Sequence, residues 1–190
     1  MSRAPFSIAG RPVWGRFSGL GAMIAIFGFG ADRLHKWWML SVYDMPARGR
    51  VEITSWFDVV MAWNKGVSYG LFQAETAIGR IGLILFALAV VIGLGLWLAK
   101  VESKVTAVAI GLVIGGALGN VLDRFLYGAV ADFFSFHGFG FYWYVFNVAD
   151  IWISMGVGLI LLESVFPGVF GPDHSEQTSQ GSKARDDGRA

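Results

Sequence analysis

VTAVAIGLVIGGALGNVLDR, residues 105–124, carries no charge until Asp123 and Arg124 close it. An uncharged stretch near the length of about 20 residues that crosses a hydrocarbon layer is read as a membrane span. Gly111, Gly115, Gly116 and Gly119 recur along it at spacings that let neighbouring helices approach closely. Working outward, residues 81–99 form a second uncharged span, joined to this one by a tight turn holding Lys100, Glu102 and Lys104. Residues 17–31 are apolar and glycine-rich. Asp32, Arg33, His35 and Lys36 interrupt them before Trp37-Trp38-Met39-Leu40 resumes. Because the apolar pattern runs on through those charges to Tyr43, it predicts an uncleaved first span rather than a removed signal. A fourth span is expected from about Asn147 to Phe166, where Pro167 and Gly168 stop it.

Composition agrees. The 190 residues are 55% hydrophobic and 15% charged, too apolar for a soluble domain of this length. Four spans with loops fill the chain and leave no room for a second domain. With no cysteine, disulfides, a thiolate nucleophile and iron–sulfur clusters are excluded. His35, His137 and His174 are scattered without metal-ligand spacing, so neither a metal nor another cofactor is expected. The formal net charge of +1 and the lack of a basic cluster argue against nucleic acid as a partner.

The fold expected is thus a mainly α membrane protein, a four-helix bundle. Residues 1–16 form a basic, flexible lead, 17–166 one membrane unit, and 167–190 a polar, disordered tail. Between the first two spans, Val51-Glu52-Ile53-Thr54 alternates and residues 56–63 are rich in aromatic and β-branched side chains, which predicts short strands within a cradle of about 44–80. Asn64-Lys65-Gly66 reads as a turn, and residues 73–80 as a brief helix. Residues 127–144 read as an aromatic loop whose plain reading is an interfacial belt at the membrane boundary, with a lid over the acids as the alternative. Basic residues near span ends set orientation. Arg3, Arg11, Arg16, Lys100, Lys104, Lys183, Arg185 and Arg189 would lie inside, against Arg48, Arg50, Lys65, Arg80 and Arg124 outside. Both termini are then cytoplasmic, and Glu163 reaches the inner interface.

Two acids stand where an apolar chain tolerates them least. Asp123 ends the third span and Asp150 begins the fourth. Ionisable groups beside spans are costly and default to function. Each follows an asparagine by three residues, Asn120 and Asn147, so acid and amide share a helix face. Close carboxylates cannot both ionise cheaply. One shared proton would let the pair activate water and polarise a carbonyl, the requirement for peptide hydrolysis without a covalent intermediate. The plainer reading of each acid is an ion pair or a favourable helix-end charge, worth under about 1 kcal/mol.

The motifs Asp32-x-x-x-Lys36, Asn64-x-Gly66 before Tyr69-Gly70-Leu71-Phe72, Gly119-Asn120-x-x-Asp123-Arg124, Val130-x-Asp132-Phe133 and Phe146-Asn147-x-Ala149-Asp150 occur in this order. The chain thereby resembles the lipoprotein signal peptidase family (signal peptidase II), the membrane aspartyl proteases of bacteria. The resemblance implies four transmembrane helices with a small periplasmic β-cradle in the first outer loop, in the bacterial inner membrane. It implies cleavage of signal peptides from diacylglyceryl-modified prolipoproteins, just before the lipidated cysteine, with lipid as the surroundings; a monomer is expected, though the resemblance does not set the oligomeric state. By position Asp123 and Asp150 are similar to the catalytic dyad. Asn64, Gly66, Asn120, Arg124 and Asn147 look like the substrate-binding shell, and Asp32, Lys36 and Asp132 like structural support. Val67, Ser68 and Tyr69 depart from the alanine-alanine-phenylalanine usual after the asparagine–glycine turn.

Two other readings were open. Gly66-Val67-Ser68-Tyr69-Gly70 matches a nucleophile elbow, but that motif needs a strand-to-helix turn of an α/β sheet, and His137 has no evident partner. A small proton-coupled carrier or channel subunit would use the acids as relays. Such proteins show internal repeats and helices broken at mid-membrane, and neither is visible here.

Overall fold

The computed structural model describes residues 7–8, 11–12, 14–66 and 76–166. A short ribbon of β1 (Ser7–Ile8) and β2 (Arg11–Pro12), where the sequence suggested an unstructured lead, precedes α1 (Ser18–Trp37). The helix passes into a π-helical turn, Trp38–Val42, then a single turn of helix, α2 (Met45–Arg48). Strands β3 (Val51–Thr54) and β4 (Phe57–Asn64) follow, then α3 (Ala77–Leu98), α4 (Lys104–Tyr127), β5 (Val130–Gly138), β6 (Phe141–Tyr142) and α5 (Val148–Val165).

The helices begin where side chains can satisfy free backbone N–H groups. Thr76 accepts from Gly79 (3.1 Å), and Ser103 from Thr106 (3.3 Å). Asn147 and Asp150 form a reciprocal capping box at the start of α5. Gly128, at φ 79°, ends α4 in the left-handed conformation that glycine adopts without strain. Helices α3, α4 and α5 are each long and apolar enough to cross a membrane. α4 is the centre of the bundle and packs on α1, α3 and α5. Its glycines do what the sequence asked of them. A Cβ on Gly111 would stand 2.5 Å from the Gly21 carbonyl oxygen, and one on Gly116 2.5 Å from that of Ala149.

The outer sheet departs from expectation. Residues 127–144, read as a loop, supply two of its four strands, in the antiparallel order β3-β4-β5-β6. The aromatic content suggested a boundary belt, yet Val130, Ala131, Asp132 and Phe133 are all buried, as in a strand covered on both faces. Ala62 pairs with Asp132 and Asn64 with Val130. The cradle is therefore shared between two connections rather than confined to 44–80. The helix expected at 73–80 is, in its described part, the first turn of α3. Met39, Met45, Ala131 and Phe133 form the small core joining sheet to bundle.

Candidate active site

β5 and the facing ends of α1, α4 and α5 converge on one polar cluster. On α1, Asp32 and Lys36 are four apart, both wholly buried, with the ammonium 3.0 Å from Asp32 Oδ2. The same ammonium lies 2.7 Å from Asp123 Oδ2 and donates to Asn120 Oδ1 at 3.2 Å. Three oxygens thus surround its three hydrogens. Arg33 donates to the other oxygen of Asp123, and the Ala131 backbone N–H to Oδ2 (3.2 Å). Asp32 Oδ1 accepts from the Ala149 N–H (3.1 Å), tying α1 to the first turn of α5. Two acids and two cations are thus matched in number in a place that otherwise excludes charge.

Asp150 has different company. Its Oδ1 accepts from Asn120 Nδ2 (3.0 Å) and its Oδ2 from the Asn147 N–H (3.1 Å). Asn147 Nδ2 donates to Asp132 Oδ1 at 2.6 Å and to Asn120 Oδ1 at 3.2 Å. Asn64 Nδ2 donates to Asp132 Oδ2 (3.1 Å), while its own oxygen accepts from the Gly66 N–H (3.0 Å). Arg124 closes the ring. It donates to the Gly66 carbonyl at 2.8 Å and to that of Asn120 at 3.4 Å. Asp132 and Asp150 are therefore bridged by carboxamides, whereas Asp123 is held by cations.

Burial, and then the negative charge of Asp150, push the Asp132 carboxyl up to about 7, against the pull of its two asparagine donors. A group so poised holds or releases its proton near neutrality. Asp132 is 1% exposed. Asp150 is half-buried and lines a groove of about 540 Å³ with Phe136, Trp143, Tyr144, Phe146, Ile151, Ser154 and Met155. One charged edge in an aromatic channel suits an extended apolar chain with a polar backbone.

All ten residues selected from the sequence are gathered here, but two of them exchange company. Asp123, set against Asp150 in the sequence reading, bonds to Arg33, Lys36 and the Ala131 N–H. Asp132, read as support, is the acid whose carboxyl senses Asp150. Arg33 was not selected. Its signal was its place directly after Asp32 and three residues before Lys36, on the shoulder of their shared face. Ser68, Tyr69, Gly70, Leu71 and Phe72 lie outside the described residues. His137, read as unpartnered, stands 3.2 Å from Asp58 Oδ2 on the far side of the sheet. Glu163 accepts from Thr106 Oγ1 at the opposite end of the bundle.

The sequence model of the family described as Signal peptidase (SPase) II matches residues 24–166. The lipoprotein signal peptidase of Nitrobacter hamburgensis is 43% identical over 148 residues, spanning 76% of this chain and 90% of its own length. That of Methylocella silvestris is 46% identical over 147 residues, spanning 77% and 86%. A solved structure described as a bacterial membrane enzyme superposes with a TM-score of 0.68 at 25% identity, over 82% of this chain and 93% of the other.

Proposed function

The chain belongs to the signal peptidase II family of membrane aspartic endopeptidases, and on that footing we propose that it removes signal peptides from diacylglyceryl-modified prolipoproteins, using Asp132 and Asp150 as its paired carboxylates. The observation that carries this reading is the carboxamide bridge between those two acids beside the aromatic groove. The sequence alone favoured Asp123, but a carboxylate held by Arg33, Lys36 and a backbone N–H already accepts three donors, two of them cations, and has a single lone pair left for a water or a substrate. It serves better as the anchor that fixes β5 and Asn120.

In the proposed reaction the signal segment enters from the bilayer, and its scissile bond lies along the groove. Water attacks the peptide carbonyl carbon. Asp150 takes the water's proton, and Asp132 gives its proton to the carbonyl oxygen. On collapse, the C–N bond breaks. Asp150 protonates the departing amine, and Asp132 recovers its proton from the diol hydroxyl. Asp132 is placed on the acid side because its carboxyl is still half protonated near pH 7. Asn120 and Asn147 hold the acids, while Asn64 and Arg124 fix the Gly66 end of β4 against them. Bonds between side chains and the substrate backbone would replace part of this network on binding.

We also place α1 as a fourth span. Its three charged residues near one end, Asp32, Arg33 and Lys36, are neutralised within the bundle. The enzyme then crosses the inner membrane four times as a monomer, with both termini cytoplasmic and the sheet periplasmic. Purified protein should cleave a lipidated precursor and leave its unlipidated twin intact. Asp132→Asn and Asp150→Asn should each abolish that cleavage while folding normally. Full turnover by either variant refutes the dyad, and equal cleavage of both precursors refutes the substrate.

A further inference from the structure

The end of β5 and β6 make a hairpin with two unlike faces. His137 pairs with Tyr142 and Gly138 with Phe141, and the Trp143 N–H donates to the Phe136 carbonyl (2.7 Å). Side chains alternate across a strand, and directly paired residues share a face. Phe136, Phe141 and Trp143 are therefore on one side, His137 and Tyr142 on the other. The second side is polar. Arg50 Nη1 is 2.7 Å and His137 Nε2 3.2 Å from the same oxygen of buried Asp58. The Arg50 guanidinium lies over the Tyr142 ring, on which His137 also stacks.

The first side is apolar and open. Phe141 is 61% and Trp143 52% exposed, their rings edge-to-face at 5.9 Å. At the tip, Phe139 and Gly140 both have positive φ, 51° and 78°. Asparagine or glycine takes that first position in a two-residue turn without strain, whereas a bulky residue there costs on the order of 1–3 kcal/mol. The Phe139 side chain is fully exposed, so packing within the chain does not offset that strain.

This open face continues into a surface whose covering is known from its chemistry. Phe136 and Trp143 line the groove at Asp150 together with Ile151 and Met155 of α5. Ile151 and Met155 are four apart on the exposed side of a helix apolar enough to cross a bilayer, the side that lipid covers. The hairpin face and the lipid-facing stripe of α5 are two parts of one apolar surface.

We propose that the β5–β6 hairpin is half-immersed in the bilayer interface. The Phe136–Phe141–Trp143 face meets the upper acyl chains, Phe139 anchors the tip, and the Arg50–His137–Tyr142 face meets headgroups and water. The occupant in the substrate-free protein is bilayer lipid, which a signal peptide would displace only along the groove at Phe136 and Trp143, leaving Phe139 and Phe141 in lipid. The inference does not depend on the reaction.

The chain has no cysteine, so single thiols can be placed freely. Phe139→Cys, Phe141→Cys, Tyr142→Cys and Glu52→Cys would each carry a small environment-sensitive fluorophore. They would be measured in phosphatidylcholine–phosphatidylglycerol vesicles without substrate. A spin label high on the lipid acyl chain should quench positions 139 and 141 at least about threefold more than positions 142 and 52, with aqueous iodide giving the reverse order. Equal iodide access at all four positions overturns the proposal. So does shielding of 139 and 141 that appears only when a signal-peptide precursor is added. Phe139→Gly guards against misfolding as an explanation. It relieves the left-handed strain, so its thermal midpoint should match or exceed the parent's while quenching at position 141 falls about twofold. Unchanged quenching in that variant removes the anchoring role of the tip.

Discussion

Replacing Asp123 and Asp132 separately by asparagine should give opposite phenotypes. Asp123 belongs to a buried group of two acids and two cations, with Lys36 at 2.7 Å and wholly excluded from solvent. Asparagine there leaves the group with one surplus positive charge. Breaking a buried pair from one side costs about 3–5 kcal/mol. Arg33 is 18% exposed and can recover some hydration, which places the expected loss near the lower end of that range. Asp132 stands differently. Its asparagine variant keeps the volume and one acceptor, loses one of two asparagine hydrogen bonds at about 1 kcal/mol, and no longer buries an acid already pushed up to about 7. Its net change in stability should be small.

Activity should divide the other way. Loss of an acid–base group lowers turnover by about 10²–10⁴-fold, so Asp132→Asn should be folded and inactive. Asp123→Asn should be fragile, yet retain turnover within about tenfold of the parent for each folded molecule. The assay is a denaturant titration in detergent, paired with cleavage of a lipidated precursor normalised to the folded fraction. A stable, inactive Asp123→Asn beside an active Asp132→Asn would refute the reasoning. It would return the role to the pair that the sequence alone favoured.

Two further outcomes follow from the same geometry. The folded Asp132 carboxyl sits at about 7 against an ordinary 3.8, so the native state binds the extra proton between those values. Stability linked to this group is fullest below pH 3.8 and is lost as pH rises through about 7; thermal midpoints from pH 5 to 9 should show a steeper decline in the parent than in Asp132→Asn, and the parent's kcat/KM should fall above about pH 7. Gly116→Ala puts a methyl 2.5 Å from the Ala149 carbonyl oxygen and should cost about 1–3 kcal/mol by forcing α5 off α4. Gly158→Ala, with open space around its Cβ, should be neutral in the same unfolding assay.

The three apolar helices and their glycine contacts were legible in the sequence because each rests on local periodicity or spacing, whereas most members of the polar cluster were picked out by the resemblance. The face shared by Asn120 and Asp123 was read correctly. That face is wide, however, and its two edges meet different neighbours. Asn120 reaches Asp150 on α5, and Asp123 reaches Lys36 and Arg33 on α1. Helical spacing states which residues point the same way and is silent on which helix stands in front of each.

Asp132 was picked out by its motif, but its closeness to Asp150 was hidden, for a different reason. It enters the site through strand pairing, Ala62 with Asp132 and Asn64 with Val130, between segments separated by a whole span and more. No local pattern encodes such a register, and an aromatic-rich stretch after a span reads as an interfacial belt. One signal was nonetheless present. Val130, Ala131, Asp132 and Phe133 place an acid within an otherwise apolar run, and an acid buried in a strand needs neutral donors or a proton. Asn64 and Asn147 supply the donors, and Asp150 raises the affinity for the proton. Among the acids of this cluster, Asp132 and Asp150 are the two that form no ion pair among the described residues, and they are the pair we propose for the chemistry.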